Sequence, residues 1–180
     1  MNLEQLYQKA QKDCYYRQEL LDKTYLEGAG RFVSKVVYIP PITSKFTHQE
    51  DFLEVSSYKM CTRASWFSRE WGWKRFKSQI LIFDSAFSMS YAYFLSALVD
   101  HEGYHAQEFF QDPDQIRIEH LHGCFEKAIR KAEREIRALD NQLRSAQKRG
   151  LTAEEVSNLE KLMAEHQTII VNEKGLAREF

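Results

Sequence analysis

Ser78-Gln79-Ile80-Leu81-Ile82-Phe83 and the segment that follows from Ser88 to Phe110 decide how this chain folds. The first is a short apolar run with β-branched residues, which predicts a strand. The second places Tyr91, Phe94, Leu95, Leu98 and Phe109 at three- and four-residue steps, with His101 and His105 continuing the same row. That period predicts a helix, and it puts both histidines on the helix's apolar face.

Outward from this unit, Phe32-Val33-Ser34-Lys35-Val36-Val37-Tyr38-Ile39 is β-branched and aromatic, ends at Pro40-Pro41, and predicts another strand. Phe52 to Met60 alternates more weakly and is a third strand candidate. Between them and Ser78, Trp66, Phe67, Trp71, Trp73 and Phe76 interleave with Arg69, Lys74, Arg75 and Lys77, a pattern expected of core or of a substrate wall. Upstream, Leu3, Leu6, Tyr7, Ala10, Cys14, Tyr15 and Leu21 outline one amphipathic helix over 2–27, stopped by Gly28-Ala29-Gly30. Downstream, Gln111-Asp112-Pro113-Asp114-Gln115 is a break-and-restart signal. A long helix then runs on the stripe Ile118, Leu121, Phe125, Ile129, Ala132, Ile136, Leu139 and Leu143 to Gly150. Thr152-Ala153-Glu154-Glu155 is a capping box that opens a last helix. The expected fold is α+β and mainly helical. A small antiparallel or mixed sheet packs on the histidine-bearing helix, and a long helical hairpin closes the C-terminus.

Composition narrows the function classes. The chain has 180 residues, 43% hydrophobic and 28% charged, with a net charge of −1. The charge balance argues against nucleic acid as a partner, because no global basic field is present. No run approaches the roughly 20 apolar residues of a membrane span, so no membrane association is expected. Cys14, Cys61 and Cys124 are widely spaced and make neither a disulfide framework nor a CxxC metal site. With no basic-then-apolar leader at the N-terminus, a reducing cytoplasmic setting is the expectation.

His101-Glu102-Gly103-Tyr104-His105 is an HExxH sequence. Residues four apart project from one helical face, so both imidazoles can reach one ion. Glu102, turned to the side of that face, is placed to take a proton from a metal-activated water. A chain of this composition holds about 0.02 such matches by chance, so the motif carries information. The plainer alternative is two core histidines satisfied by hydrogen bonds, with Glu102 at the surface.

Through this motif and the order of elements, the chain resembles the zincin metallopeptidases, specifically the small gluzincin type. The resemblance covers about residues 1–126, read as a zincin-like metal-binding unit, with 127–180 as a helical-hairpin extension packed on the same domain. It implies Zn2+ as cofactor, a peptide or protein as substrate, His101 and His105 as ligands, Glu102 as base, and a third ligand on the following helix. Glu119, His122 and Glu126 share one face there. A tight hairpin about Gln111-Asp112 sets residues near 118 and 122 against the histidines, and Glu126 about one turn beyond. Glu119 completes the gluzincin set, with His122 as the substitute. Glu108 stands where the extended metzincin motif has glycine, so the chain departs from that subtype. The strand Ser78–Phe83 is the expected edge for an extended peptide.

Two other classes compete. Glu102-x-x-His105 and Glu119-x-x-His122 are paired ExxH sequences of the kind carboxylate-bridged di-iron bundles use, with Glu4 or Glu19 supplying a further carboxylate. A non-catalytic interaction module is the other. Residues 127–149 carry eight Lys/Arg against Glu133, Glu135 and Asp140, a net of +5, while 151–180 carry three basic against six acidic residues, a net of −3. Complementary faces of a solvated hairpin account for this, as would an oligomer or partner contact through 127–180.

Overall fold

The computed structural model describes residues 1–41, 59–63, 77–112 and 124–176. The fold is α+β, mostly helical, with a small mixed sheet and a C-terminal helical pair. Helix α1 spans Leu3–Lys12 and α2 spans Tyr15–Lys23. Strands β1 (Val33–Ile39), β2 (Met60–Arg63) and β3 (Ser78–Phe83) form the sheet. Then come α3 (Tyr91–Leu95), a π-helical segment (Ser96–Glu102) and α4 (Gly103–Gln111), with right-handed helical backbone at their junctions. Helices α5 (Cys124–Arg149) and α6 (Ala153–Leu176) complete the chain. No helix of the described residues is long and apolar enough to cross a membrane.

The N-terminal helix expected over 2–27 is two helices. Asn2 and Gln5 cap α1 reciprocally, and the break falls at Asp13, whose backbone is extended. The Asp13 carboxylate accepts from the Tyr15 amide at 2.9 Å. A short acidic side chain thus offers the backbone a partner outside the helix, which a hydrophobic period does not register. The stop also comes earlier than Gly28, because Thr24 turns extended and its hydroxyl donates to the Leu20 carbonyl. Gly28–Gly30 sit in a 3₁₀ turn over Glu27–Arg31.

In the sheet, β3 is central: it pairs parallel with β1 and antiparallel with β2. The expectation that Ser78–Phe83 offers an edge is therefore corrected, and the edge strands are β1 and β2. The run Ile80-Leu81-Ile82-Phe83 is apolar on both faces because it is the middle strand, with Ile80 and Ile82 fully buried. Of the weaker strand candidate, residues 52–58 lie outside the described residues, as do Trp66 to Phe76, and the strand begins at Met60.

The core gathers α1, α2, the sheet and the helix from Tyr91 onward. Tyr7 is buried against Phe94 and donates its hydroxyl hydrogen to the Met89 carbonyl at 2.9 Å. Arg17 ties α2 across the sheet to Asp84 and the Tyr38 hydroxyl. Where the HExxH helix meets the 3₁₀ turn, a Cβ on Gly103 would lie 2.6 Å from the Ala29 Cβ. Gly103→Ala is expected to destabilise the fold by about 1–3 kcal/mol through overpacking, read as a lowered Tm. An unchanged Tm would show that Ala29 yields freely.

At the C-terminus, Gly150 has φ +74, its amide donates to the Gln147 carbonyl, and the Leu151 amide donates to that of Ala146. This is a Schellman stop in which glycine supplies the left-handed residue. The predicted capping box is also present: the Glu155 carboxylate accepts from the Thr152 amide at 2.8 Å, and the Thr152 hydroxyl accepts from the Glu155 amide at 3.2 Å.

Candidate metal centre

His101 is the next-to-last residue of the π-helical segment and His105 lies one turn on in α4, both facing α5. Opposite them stands Glu135 of α5. Its Oε2 lies 3.2 Å from His101 Nε2 and 3.5 Å from His105 Nε2. One ligand atom from each of the three residues falls within 4.8 Å of the others, so the group could hold a metal ion. Ligand bonds of about 2.0–2.1 Å set neighbouring donors of a tetrahedral zinc roughly 3.4 Å apart. The two nitrogen–oxygen separations match that edge, and a bound ion would draw the widest pair together.

His105 is buried, while His101 and Glu135 are half-buried. The His105 ring stacks on Phe109, and the two imidazoles meet edge to face with centroids 4.8 Å apart. His105 Nδ1 is buried with no hydrogen bond, as is Glu108 Oε2, and the two atoms are 3.8 Å apart. Glu108 is steadied by Arg137, whose Nε donates to Oε1 at 2.6 Å. A carboxylate facing the far nitrogen of a ligating histidine is the usual support that orients such a ring. Glu102 is also buried, and its carboxylate meets the Thr62 hydroxyl of β2 at 2.6 Å.

Electrostatics follow from this crowding. Burial alone would raise the Glu135 carboxyl, but hydrogen bonds and charge from His101 and His105 outweigh it and hold the group far below the usual carboxylate range. Burial likewise disfavours a charged His105, yet the carboxylates of Glu108 and Glu135, with the charge of Glu102, raise its pKa to about 9. Arg137 is a cationic group that faces the same cluster. With no metal bound, His105 therefore keeps its proton above the ordinary histidine range. A value raised above the unfolded one of about 6.5 adds stability that is complete below that pH and is lost as pH climbs through 9. Chelator-treated protein is expected to lose Tm between those limits, and His105→Gln should flatten that slope. An equal slope in the variant would assign the loss to other groups.

The structure brings His101 and His105 together as the spacing predicts, with Glu102 beside them. The expected third ligand, Glu119, and its substitute His122 lie outside the described residues. Glu126 is described and exposed, and it is not in the group. Among the described residues Glu135 stands opposite the pair, because α5 runs antiparallel to the HExxH helix with a later centre than a tight turn requires. Arg137 meets Glu108 and the Asn141 side chain meets the Asp100 carbonyl, so the pairing is centred about residue 121, well beyond Gln111-Asp112. Glu135 also lies past residue 126, so the group spans both units of the expected division. The signal for it was the row Glu135, Ala138, Gln142, Ala146 and Arg149, where small residues permit close helix approach; Ala138, Gln142 and Ala146 are buried. Charge counting read the same helix as a solvated face, yet Arg137, Lys148 and Arg149 pair within the molecule. Of the carboxylates considered for a di-iron site, Glu4 is exposed and Glu19 pairs with Lys23. No protein-family model, curated protein or solved structure matches this chain.

Proposed function

We propose that this chain is a zinc-dependent metallopeptidase of the HExxH type, cutting peptide bonds in a peptide or protein substrate. The observation that carries the reading is the convergence of His101, His105 and Glu135, with the Glu102 carboxylate buried on Thr62 near enough for its charge to act on His105. Two histidines and a glutamate are a catalytic zinc set that leaves a position open. When bound, zinc supplies an acidified water and polarises the scissile carbonyl. The chain's own groups do the remainder. Glu102 takes the proton of the attacking water and returns it to the leaving amine. Thr62 steadies that carboxylate from β2. Among the described residues no strand pairs beyond β2, so an extended peptide would align there rather than on β3.

The same ligand set also suits ferrous iron, and it is the neighbouring carboxylate that favours hydrolysis over oxygen chemistry. Elemental analysis of the purified chain tests the reading, alongside His101→Ala and a peptide-cleavage assay with and without chelator. One zinc per chain, lost in the variant, and cleavage that stops on chelation are the expected results. Iron at that stoichiometry, or zinc retained in His101→Ala, overturns the reading.

A further inference from the structure

The first two residues of the HExxH motif close a π-helical segment, Ser96–Glu102, rather than an α-helix. A π turn inside an α-helix is uncommon and persists where surrounding structure over-determines it. Here the surroundings are explicit. The Asp100 carbonyl accepts from Asn141 Nδ2 at 2.7 Å, and the Glu102 carbonyl lies 2.9 Å from the Thr62 hydroxyl. Two carbonyls at the end of the segment are thus met from α5 and from β2.

The strongest restraint is on the Asp100 side chain. Arg149 grips it with two nitrogens, Nε to Oδ2 at 2.7 Å and Nη2 to Oδ1 at 2.9 Å, with both side chains only 10% exposed. The third nitrogen, Nη1, donates to Glu27 at 2.8 Å, and Lys148 joins the same carboxylate. Glu27 itself has φ +49, a left-handed conformation that a non-glycine residue adopts under such restraint. A bidentate fork fixes direction as well as distance. Asp100 is the residue before His101, and Arg149 belongs to the helix that carries Glu135. Helix α5 thus touches the histidine pair in two ways: through a carboxylate facing the imidazoles, and through a guanidinium on the turn that carries the first of them.

We propose that Arg149 is a positioning residue for His101, its fork on Asp100 holding the π turn so that the imidazole faces Glu135. As a statement about metal binding, this rests on the zinc reading above. As a statement about the imidazole, it does not. Lysine at 149 keeps a cation and loses the fork, while asparagine at 100 keeps the shape and loses the charge, leaving Arg149 its contact with Glu27. Both variants are compared with Arg144→Ala, which removes an exposed cation paired, among the described residues, along its own helix with Asp140.

Two readouts are taken on the full chain: histidine ring resonances by 15N NMR without metal, and zinc affinity by competition with a chromophoric chelator. In Arg149→Lys and Asp100→Asn the His101 resonances are expected to move while those of His166 stay, with far-UV circular dichroism unchanged. Zinc affinity should fall about 10–100-fold, the usual effect of removing a support behind a ligand. Combining the two substitutions should add little to either, because they break one contact. Arg144→Ala should change neither readout. His101 resonances that stay in place in both variants overturn the proposal, as does full additivity. A wild-type chain that takes up no zinc overturns the zinc reading alone, and the metal-free resonances then decide the proposal by themselves.

Discussion

Alanine at Glu135 is expected to abolish zinc binding, with an affinity loss of about 100-fold or more, beyond what removing an outer support brings. Among the described residues the carboxylate is the anion that touches both Nε2 atoms, at 3.2 and 3.5 Å. Without it the two imidazoles face one another with no carboxylate bridging their Nε2 atoms. Binding then rests on two neutral donors, and the ion is held no better than by an exposed histidine pair. Glu119→Ala and His122→Ala give the comparison, since the family resemblance points to them. Both are expected to keep their zinc within a factor of about three, the ordinary scatter of a substitution that removes no ligand. Measured zinc content that falls in Glu119→Ala and survives in Glu135→Ala would move the third ligand and undo the assignment.

Glu102→Gln should separate chemistry from binding. The amide matches the carboxylate in size and still accepts from the Thr62 hydroxyl, 2.6 Å away in the native chain. It cannot take a proton from water. Zinc content is therefore expected to match wild type while peptide cleavage falls by roughly 10²–10⁴-fold, the range that a positioned acid–base group contributes. The loss should appear in kcat, because the amide leaves substrate contacts in place. Undiminished cleavage in this variant would remove Glu102 from the mechanism, and lost zinc would make it structural.

The histidine pair was legible in the sequence because its geometry is local. Four residues on one helix bring two side chains to the same face whatever surrounds them, and the π turn before His105 did not disturb that. Strand β3 and the capping box at Thr152–Glu155 were legible for the same reason, each resting on near neighbours in the chain. The break at Asp13 was local too, but it lay in a side chain bonding its own backbone, which hydrophobic periodicity does not weigh.

Glu135, Thr62 and Arg149 belong to another category. Each meets the HExxH segment across 30 to 50 residues of chain, through helix register or strand order, and the small residues in the row of Glu135 and Arg149 mark a packed face without naming what packs on it. A tight turn did not anticipate Glu135, because antiparallel helices can pair about any centre, and the centre decides which carboxylates face the histidines. Sequence alone determined the helix, its two imidazoles and the carboxylate between them in the chain, since backbone periodicity dictates them. Tertiary structure alone decided which anion closes the group, which strand forms the edge beside it, and what holds its first histidine. Those choices depend on how whole elements pack, and packing is set by contacts far apart in the chain.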